Sequence, residues 1–164
     1  MQTYRTAESV SPKHPDKLCD QISDAVLDAY LVNDPDARVA VEATGGHGKV
    51  FVVGEVTSSE HPGIEPIVKR IVGKHIEVEV RLVKQSPEIA RGVDTGGAGD
   101  QGIMVGYACD ETPELLPLEV VLARSLNQSL YEKWPHDGKT QVTLQGREIV
   151  SIVASFQHAP HDEL

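Results

Sequence analysis

Aromatic residues and cysteines are scarce in this sequence of 164 residues. Phe, Trp and Tyr make up 4% of the chain, whereas 40% of its residues are hydrophobic, so a core has to be built mainly from Val, Ile, Leu and Ala. The two cysteines, Cys19 and Cys109, form neither a CxxC pair nor a metal-ligand spacing. They are therefore expected to be reduced thiols in a cytoplasmic protein.

Basic charge and long apolar runs are also lacking. Fifteen Lys and Arg stand against 25 Asp and Glu, for a formal net charge of −10, which argues against non-specific binding to nucleic acid because that needs a basic surface. A few focused cations still suffice to hold an anionic ligand. Apolar stretches such as residues 50–53 are too short to cross a bilayer, and residues 1–6 lack the apolar core of a signal peptide. We expect a soluble, cytoplasmic protein that binds neither nucleic acid nor membrane.

Hydrophobic periodicity predicts helices that alternate with pairs of strands. Helical spacing of apolar residues occurs at 15–31, 63–74 and 117–134. Strand patterns occur at 37–44, 49–57, 76–84, 103–109, 140–144 and 148–156. The predicted fold is α+β, with repeated helix–strand–strand units and helices on one face of mixed sheets. A polar tail, residues 159–164, follows the last strand.

Two glycine-rich segments interrupt this pattern. Gly45-Gly46-His47-Gly48 is followed by Lys49, but a strand comes next instead of a helix, so a hairpin turn is predicted and not a phosphate-binding P-loop. Residues 85–102 have no apolar period and are predicted to form a long, mobile loop. Within this loop Asp100 is either a turn residue of a flexible connector or an acceptor for an amine or a ribose.

The segment Ser11-Pro12-Lys13-His14-Pro15-Asp16-Lys17 places several polar groups at a predicted helix start. A helix amino terminus offers free N–H groups and a partial positive charge. His14 adds a hydrogen-bond donor, Lys17 a point charge, and Asp16 an oxygen that suits Mg²⁺. The groups together suit a polyphosphate, although composition alone favours ordinary helix capping.

Three further positions have both a structural and a functional interpretation. Asp137-Gly138-Lys139 precedes a strand, and taken alone it is a turn followed by a surface lysine. Glu42 and Glu55 lie in the two strands on either side of the glycine turn. These glutamates face either water or a cavity in which they bind a cation or an amino group.

Together these segments resemble the amino-terminal portion of methionine adenosyltransferases, which are also called S-adenosylmethionine synthetases. The matching segments run in family order and cover nearly the whole chain: residues 8–10, 14–17, 20–28, 37–42, 54–57, 85–87, 92–94, 97–102 with Met104, Gly106 and Tyr107, 137–139, 141–143 and 157–158. The resemblance implies the synthetase fold, in which similar lobes interleave. We therefore expect residues 1–164 to form part of one intertwined unit without a clean internal boundary.

The resemblance also implies roles for individual residues. On the ATP side it implies catalytic roles for His14, Lys17 and Lys139, contacts to ATP from His14, Asp100, Asp137, Gly138 and Lys139, an Mg²⁺ ligand in Asp16, and Glu8 beside the site. On the methionine side it implies Glu55, Gln85 and Asp100 as ligands, with Glu42 as a K⁺ ligand. Residues 85–95 correspond to a loop that gates the site.

The implied reaction is an attack of the methionine sulfur on the ribose 5′ carbon of ATP. Triphosphate leaves and is then cleaved to pyrophosphate and phosphate. Family members are much longer, and the segments at residues 71–85 and 94–97 are shortened here. We therefore expect a complementary or identical subunit across the active site. The alternative is a non-catalytic regulatory or ligand-binding subunit of such an enzyme, whereas an unrelated ligand-binding module would require the ordered matches to be accidental.

Overall fold

A computed structural model of the chain describes residues 3–158, so the predicted tail at 159–164 lies outside the described residues. The described residues form six strands and four helices. In chain order these are β1 (Tyr4–Val10), α1 (Pro15–Leu31), β2 (Arg38–Gly46), β3 (Lys49–Thr57), α2 (Ile64–Val72), β4 (Glu77–Val83), α3 (Pro87–Asp94), α4 (Leu118–Lys133), β5 (Gly138–Gln145) and β6 (Glu148–Phe156).

These elements belong to two compact units, each with a three-stranded sheet. The β2–β3–β4 unit comprises residues 18–104, and the β1–β5–β6 unit comprises the described residues up to Lys17 and those from Val105 onward. The division falls inside α1, after its first turn. No helix within residues 3–158 is long and apolar enough to cross a membrane, and neither Cys19 nor Cys109 is in a disulfide.

The β2–β3–β4 unit has its core on one side of its sheet. Strands β2 and β3 form an antiparallel hairpin, and β4 pairs parallel to β3 after the connection through α2. Helix α1 contributes Ile22, Val26 and Tyr30, one residue per helical turn, to this core. They pack with residues of β3 and α2: Val50, Val52, Ile64 and Val68. Both helices thus cover the same face of the sheet.

The hairpin turn between β2 and β3 consists of His47 and Gly48. Their φ angles are 50° and 83°, and positive φ at both central residues is the geometry that twists a two-residue turn to match its strands. The prediction of a hairpin instead of a P-loop is therefore confirmed.

The β1–β5–β6 unit joins early and late parts of the sequence. Its sheet has β5 in the centre, antiparallel to both neighbours, and Val10 of β1 pairs with Lys139 of β5. Helix α4 covers one face, where Ala123 packs with the buried Val142 and Leu144. Strand β6 is exposed along almost its whole length. The first strand of the chain thus completes a sheet whose other strands lie more than a hundred residues later.

The predicted α+β class, with mixed sheets and helices on one face, is confirmed. Two helix–strand–strand units occur, one from α1 to β3 and one from α4 to β6. The strand predicted at 103–109 is wrong: that segment has no regular structure, and Ile103, Met104 and Val105 are more than 90% exposed. The predicted loop at 85–102 contains α3, which starts with Ser86 as its N-cap and Pro87 in the first turn. Mobility of this segment stays a prediction.

Candidate active site

Lys139 and Glu8 form an ion pair across neighbouring strands. In β5, Thr140, Val142 and Leu144 point into the core, so the alternation of side chains along the strand places Lys139 on the opposite face. The Nζ atom of Lys139 lies 2.8 Å from Oε2 of Glu8 in β1. Two residues that the resemblance assigns to the ATP site, and that are far apart in sequence, are therefore in contact.

Ser11 links the helix start to the segment that carries Lys139. Its backbone N–H donates to the carbonyl oxygen of Gly138 at 2.8 Å, and its Oγ donates to the carbonyl oxygen of His136 at 2.9 Å. The carbonyl oxygen of Ser11 accepts from the N–H of His14 at 3.0 Å. The turn that leads into α1 is therefore held beside residues 136–139. Lys17 lies one turn further on and is exposed.

His14 has a fixed hydrogen-bonding pattern. Its Nδ1 accepts from the backbone N–H of Asp16 at 3.2 Å and lies 3.7 Å from Oδ2 of the same residue. In the neutral imidazole an accepting Nδ1 leaves the proton on Nε2, which can donate to an incoming anion. The His14 side chain is 22% exposed and that of Asp16 is 80% exposed, so both are within reach of a ligand.

Asp137 and Gly138 are held from the side of β6. The carbonyl oxygen of Asp137 accepts from the N–H of Gln157 at 2.8 Å, and Gly138 pairs with Phe156. The Phe156 ring stacks on Trp134 with ring centroids 5.0 Å apart. The segment 137–139 is thus fixed between Ser11 on one side and the end of β6 on the other.

In the β2–β3–β4 unit, Glu42 and Glu55 share one face of the sheet. Glu42 pairs with Val53 and Glu55 with Ala40, so the glutamates are diagonal neighbours, roughly 7–8 Å apart on a standard sheet. Val50 and Val52 point into the core, which places Val53 and Glu55 on the opposite face. Glu42 is exposed and Glu55 is half-buried.

Gly54, next to Glu55, was not singled out from the sequence, although it is required by the backbone. Its φ is 151°, and a Cβ at this position would lie 2.0 Å from the carbonyl oxygen of Ala40. Strand β2 therefore approaches β3 more closely here than any side chain would allow. A glycine inside a strand pattern is the signal that could have indicated this close approach.

Gln85 and Asp100 lie outside the strands of this unit. Gln85 follows β4, and its Oε1 is buried without a hydrogen-bond partner within the described residues. Asp100 is in the exposed segment after α3, where its Oδ1 accepts from the N–H of Gln101 at 2.6 Å. The sheet thus places Glu42 and Glu55 side by side, whereas Asp100 lies on an irregular segment.

Two carboxylates that support the framework have pKa values below their usual range. A side-chain hydrogen bond from Arg5 lowers the pKa of Glu111, which also accepts from the backbone N–H of Leu118 at the start of α4. In the other unit, the hydroxyl of Ser58 lowers the pKa of Asp34 through a 2.6 Å hydrogen bond. Glu111 thus anchors a loop to β1 and α4, whereas Asp34 joins the loop that follows α1 to the loop that follows β3.

The two carboxylates that are predicted to bind cations, those of Asp16 and Glu42, are both exposed. Within residues 3–158, no three His, Cys, Asp or Glu side chains are grouped as a metal ion would require. An exposed carboxylate such as that of Asp16 nevertheless fits Mg²⁺, because this ion is commonly bound by one or two carboxylates together with substrate phosphates and water. Glu42 offers similar oxygen atoms on its sheet face.

Two family models match the chain in succession. The model described as S-adenosylmethionine synthetase, N-terminal domain, matches residues 2–89, and the model described as S-adenosylmethionine synthetase, central domain, matches residues 95–164. Strand β1 lies in the first match and its partner β5 in the second.

Named relatives give the same result. The chain is 44% identical to S-adenosylmethionine synthase 1 of Frankia casuarinae, with 97% of this chain and 50% of that protein covered. It is 45% identical to the S-adenosylmethionine synthase of Prochlorococcus marinus, with 93% and 47% covered, and 43% identical to that of Cereibacter sphaeroides, with 96% and 48% covered.

The coverage also shows how the lengths differ. The chain spans about half the length of these relatives. The alignment with the Frankia protein is 200 positions long, which is more than this chain contains, so that relative has internal residues without a counterpart here. With two family models covering nearly all of the sequence and relatives at this level of identity, the chain belongs to the S-adenosylmethionine synthetase family.

Proposed function

We propose that this chain contributes to the active site of a methionine adenosyltransferase. In this reaction the sulfur of methionine attacks the ribose 5′ carbon of ATP, triphosphate leaves, and the triphosphate is then cleaved to phosphate and pyrophosphate. The observation that carries the proposal is the pairing of β1 with β5. It brings Lys139 beside Glu8 and ties the segment containing His14 and Lys17 to Gly138.

The chemistry matches these groups. A thioether sulfur is a neutral nucleophile and needs no general base, so the demand is for orientation and for stabilisation of the leaving anion. Nε2 of His14 would donate to the triphosphate, and the ammonium groups of Lys17 and Lys139 would stabilise its charge. Asp137 and Gly138 would contact ATP. Mg²⁺, when bound with one oxygen from Asp16, would neutralise phosphate charge.

Methionine would be held by residues of the β2–β3–β4 unit. The carboxylate of Glu55 suits an ammonium group, and the unpartnered Oε1 of Gln85 suits a donor supplied by a ligand. Asp100 would lie near methionine and the ribose, and Glu42 would bind K⁺. The segment 85–95, which contains α3, would cover the bound substrates.

A second subunit completes this proposal. The active site would lie between this chain and a complementary or identical subunit that supplies further cations for the triphosphate. Because the chain spans about half the length of its relatives, a non-catalytic subunit that binds ATP or a partner is the second candidate function. The two candidates differ in turnover, which only the first requires.

The deciding experiment is an S-adenosylmethionine formation assay with ATP, methionine, Mg²⁺ and K⁺. It is run on the chain alone and on the chain mixed with the remaining half of the Frankia relative. Turnover in either condition supports the transferase. No turnover, with ATP binding and assembly retained, supports the non-catalytic subunit. Absence of turnover, of ATP binding and of assembly with the other half refutes both candidates.

A pair of variants tests the position of the site. His14→Ala should lower turnover at least about 100-fold, because it removes a donor to the leaving group. Lys13→Ala removes an exposed cation next to His14 and should leave turnover within about twofold, because Lys13 is not among the candidate residues. Near-normal turnover of His14→Ala would show that the site is misplaced.

A further inference from the structure

Ser11 is almost completely buried, and all of its polar groups are used. The residue is 2% exposed. Its N–H, its Oγ and its carbonyl oxygen are bonded to Gly138, His136 and His14, respectively. A buried hydroxyl without a partner is costly, so the contact to His136 favours one arrangement of these segments over others.

The two bonds from Ser11 to the later segment have different origins. The N–H of Ser11 extends the β1–β5 pairing one residue beyond Val10, which any non-proline residue at this position could do. The Oγ bond needs a hydroxyl, and it reaches past Gly138 to the carbonyl oxygen of His136. Gln157 holds the intervening Asp137 from the β6 side. The side chain of Ser11 therefore fixes the turn that immediately precedes Lys139.

The carbonyl oxygen of Ser11 contacts the start of α1 instead of the segment before β5. By accepting from the N–H of His14, it sets the turn that presents the imidazole at the start of α1. One buried residue thus fixes His14 on one side and the approach to Lys139 on the other. Both are cationic or donor groups that a polyphosphate would contact at the same time.

We propose that Ser11 is a positioning residue for the polyphosphate of ATP, which it serves by setting the position of Lys139 relative to His14. This inference rests on the proposed function, because it presupposes that both groups contact the triphosphate. Although the Ser11 hydroxyl is small, its removal is expected to have a large effect on ligand binding. Misplacement of a binding group by about 1 Å can cost about 100-fold in rate, because the contacts to the ligand no longer form together.

Thr140 provides a matched control for a purely structural role. It is 1% exposed, and its Oγ1 donates to the carbonyl oxygen of Ala123 at 2.8 Å. The bond is of the same type as the 2.9 Å bond of Ser11 and nearly as long, but it joins β5 to α4 on the core face. Thr140→Val keeps the shape of the side chain and removes this hydroxyl, so it should destabilise the fold without altering the link between His14 and Lys139.

The experiment is a calorimetric titration of the whole chain with sodium tripolyphosphate, and separately with ATP, at low ionic strength. Ser11→Ala should weaken tripolyphosphate binding at least about tenfold, because it removes the bond that sets the turn before Lys139. The affinity of Thr140→Val for tripolyphosphate should stay within about twofold of that of the unmodified chain. Its melting temperature should nevertheless fall by about as much as that of Ser11→Ala, because each variant loses one buried hydrogen bond.

A second variant keeps the test decisive if Ser11→Ala does not fold. Ser11→Cys fills nearly the same volume but has only a weak donor, so it should fold and still bind tripolyphosphate poorly. Folded Ser11 variants that bind as the unmodified chain does would overturn the inference alone. Equal weakening of tripolyphosphate binding by Ser11→Ala and Thr140→Val would also overturn the inference alone. The titration is repeated with the chain mixed with the remaining half of the Frankia relative. No binding of tripolyphosphate or ATP by the unmodified chain in either condition would instead overturn the proposed function, and the inference with it.

Discussion

The two units position their candidate residues in different ways. In the β1–β5–β6 unit, Glu8 and Lys139 are in direct contact although they come from opposite parts of the sequence. In the β2–β3–β4 unit, Glu42 and Glu55 come from adjacent strands of one hairpin and lie diagonally on the same face. Sheet register places both pairs, but the second pair lies within one local hairpin, whereas the first depends on a pairing between strands more than a hundred residues apart.

This difference predicts different sensitivities to substitution. Glu42 and Glu55 should no longer share a face when the backbone of the β2–β3 hairpin is disturbed, since register decides which side chains lie on the same face. The positions of His14 and Lys139 should instead be sensitive to substitution of single side chains that hold residues 11–14 against residues 136–139. Four substitutions or conditions test this contrast, from the largest expected effect to the smallest.

The largest effect is expected at Gly54. Gly54→Ala places a Cβ 2.0 Å from the carbonyl oxygen of Ala40 and requires a φ of 151° that residues with side chains rarely adopt. The strain and the forced separation of β2 from β3 should together lower the free energy of unfolding by about 4 kcal/mol, as measured by urea denaturation.

Gly46→Ala is the matched control, because its added Cβ has no atom within 4 Å apart from those of Gly46 and its two chain neighbours. It should change the free energy of unfolding by no more than about 0.5 kcal/mol. Equal effects of the two substitutions would show that close approach of the backbones at Gly54 is not needed for the register of Glu42 and Glu55.

The second effect concerns the smaller core of the other unit. Leu144 is 0% exposed and packs with Ala123 and Val142 under α4. Leu144→Ala should lower the free energy of unfolding by about 3 kcal/mol, because it leaves a cavity in a cluster with few other members. Urea denaturation again provides the measurement.

Ile149 faces Leu144 across the β5–β6 pair and is 49% exposed, which makes it the control for the loss of side-chain volume. Ile149→Ala should cost about 1 kcal/mol, since much of its surface remains in water in the folded protein. If both substitutions cost the same, the core of this unit does not lie under α4.

The sequence was sufficient to predict the elements that have strong local patterns. The span of α1 follows from Leu18, Ile22 and Val26 at helical spacing, and β3 from its near-continuous run of valines. Family order supplied the candidate residues, because Asp137-Gly138-Lys139 taken alone indicates only a turn. The predicted roles of these residues stay predictions.

Other features depend on contacts that no local pattern contains. Strand β1 was not predicted, since Thr6 and Glu8 alternate with residues of weak hydrophobicity and the strand is fixed by its pairing with β5. The predicted strand at 103–109 has apolar residues of the right kind, but in this structure it has no neighbouring strand to supply hydrogen bonds. Helix α3 was missed because its glycine and proline suggested a loop, although Ser86 and Pro87 form a standard helix start.

The third prediction is a dependence of stability on pH that originates in both units. The folded-state pKa of Glu111 is lowered from 4.5 and that of Asp34 from 3.8. Each carboxylate therefore contributes stability that is fully present above its ordinary pKa and is lost as the pH falls through the lowered value. The denaturation midpoint should accordingly decrease as the pH is taken below 4.5.

Two substitutions separate the contributions of the units. Arg5→Met removes the main cause of the low pKa of Glu111, and Ser58→Ala removes that of Asp34, so each should flatten the acid dependence in part. Glu114→Gln removes one exposed carboxylate and leaves both hydrogen bonds in place, so it is the control for a change of surface charge. An unchanged acid slope in Arg5→Met would mean that the hydrogen bond from Arg5 is not the main cause of the low pKa of Glu111.

The smallest effect is expected at Glu8, and it tests whether the contact with Lys139 limits the binding of anions. The two side chains are 58% and 45% exposed, so the ion pair is weak and a ligand can replace it. Glu8→Gln should raise the affinity for tripolyphosphate by up to about fivefold, because Lys139 no longer has a competing carboxylate.

Removing any acidic residue from a chain with a net charge of −10 favours anion binding to some degree, so the control must make the same change in charge elsewhere. Glu148→Gln does so in the same sheet, at the exposed end of β6 that pairs with Gln145. A larger gain for Glu8→Gln than for Glu148→Gln identifies the contact with Lys139 as the cause. Equal gains would mean that overall charge, and not the pairing of β1 with β5, controls how this unit receives an anion.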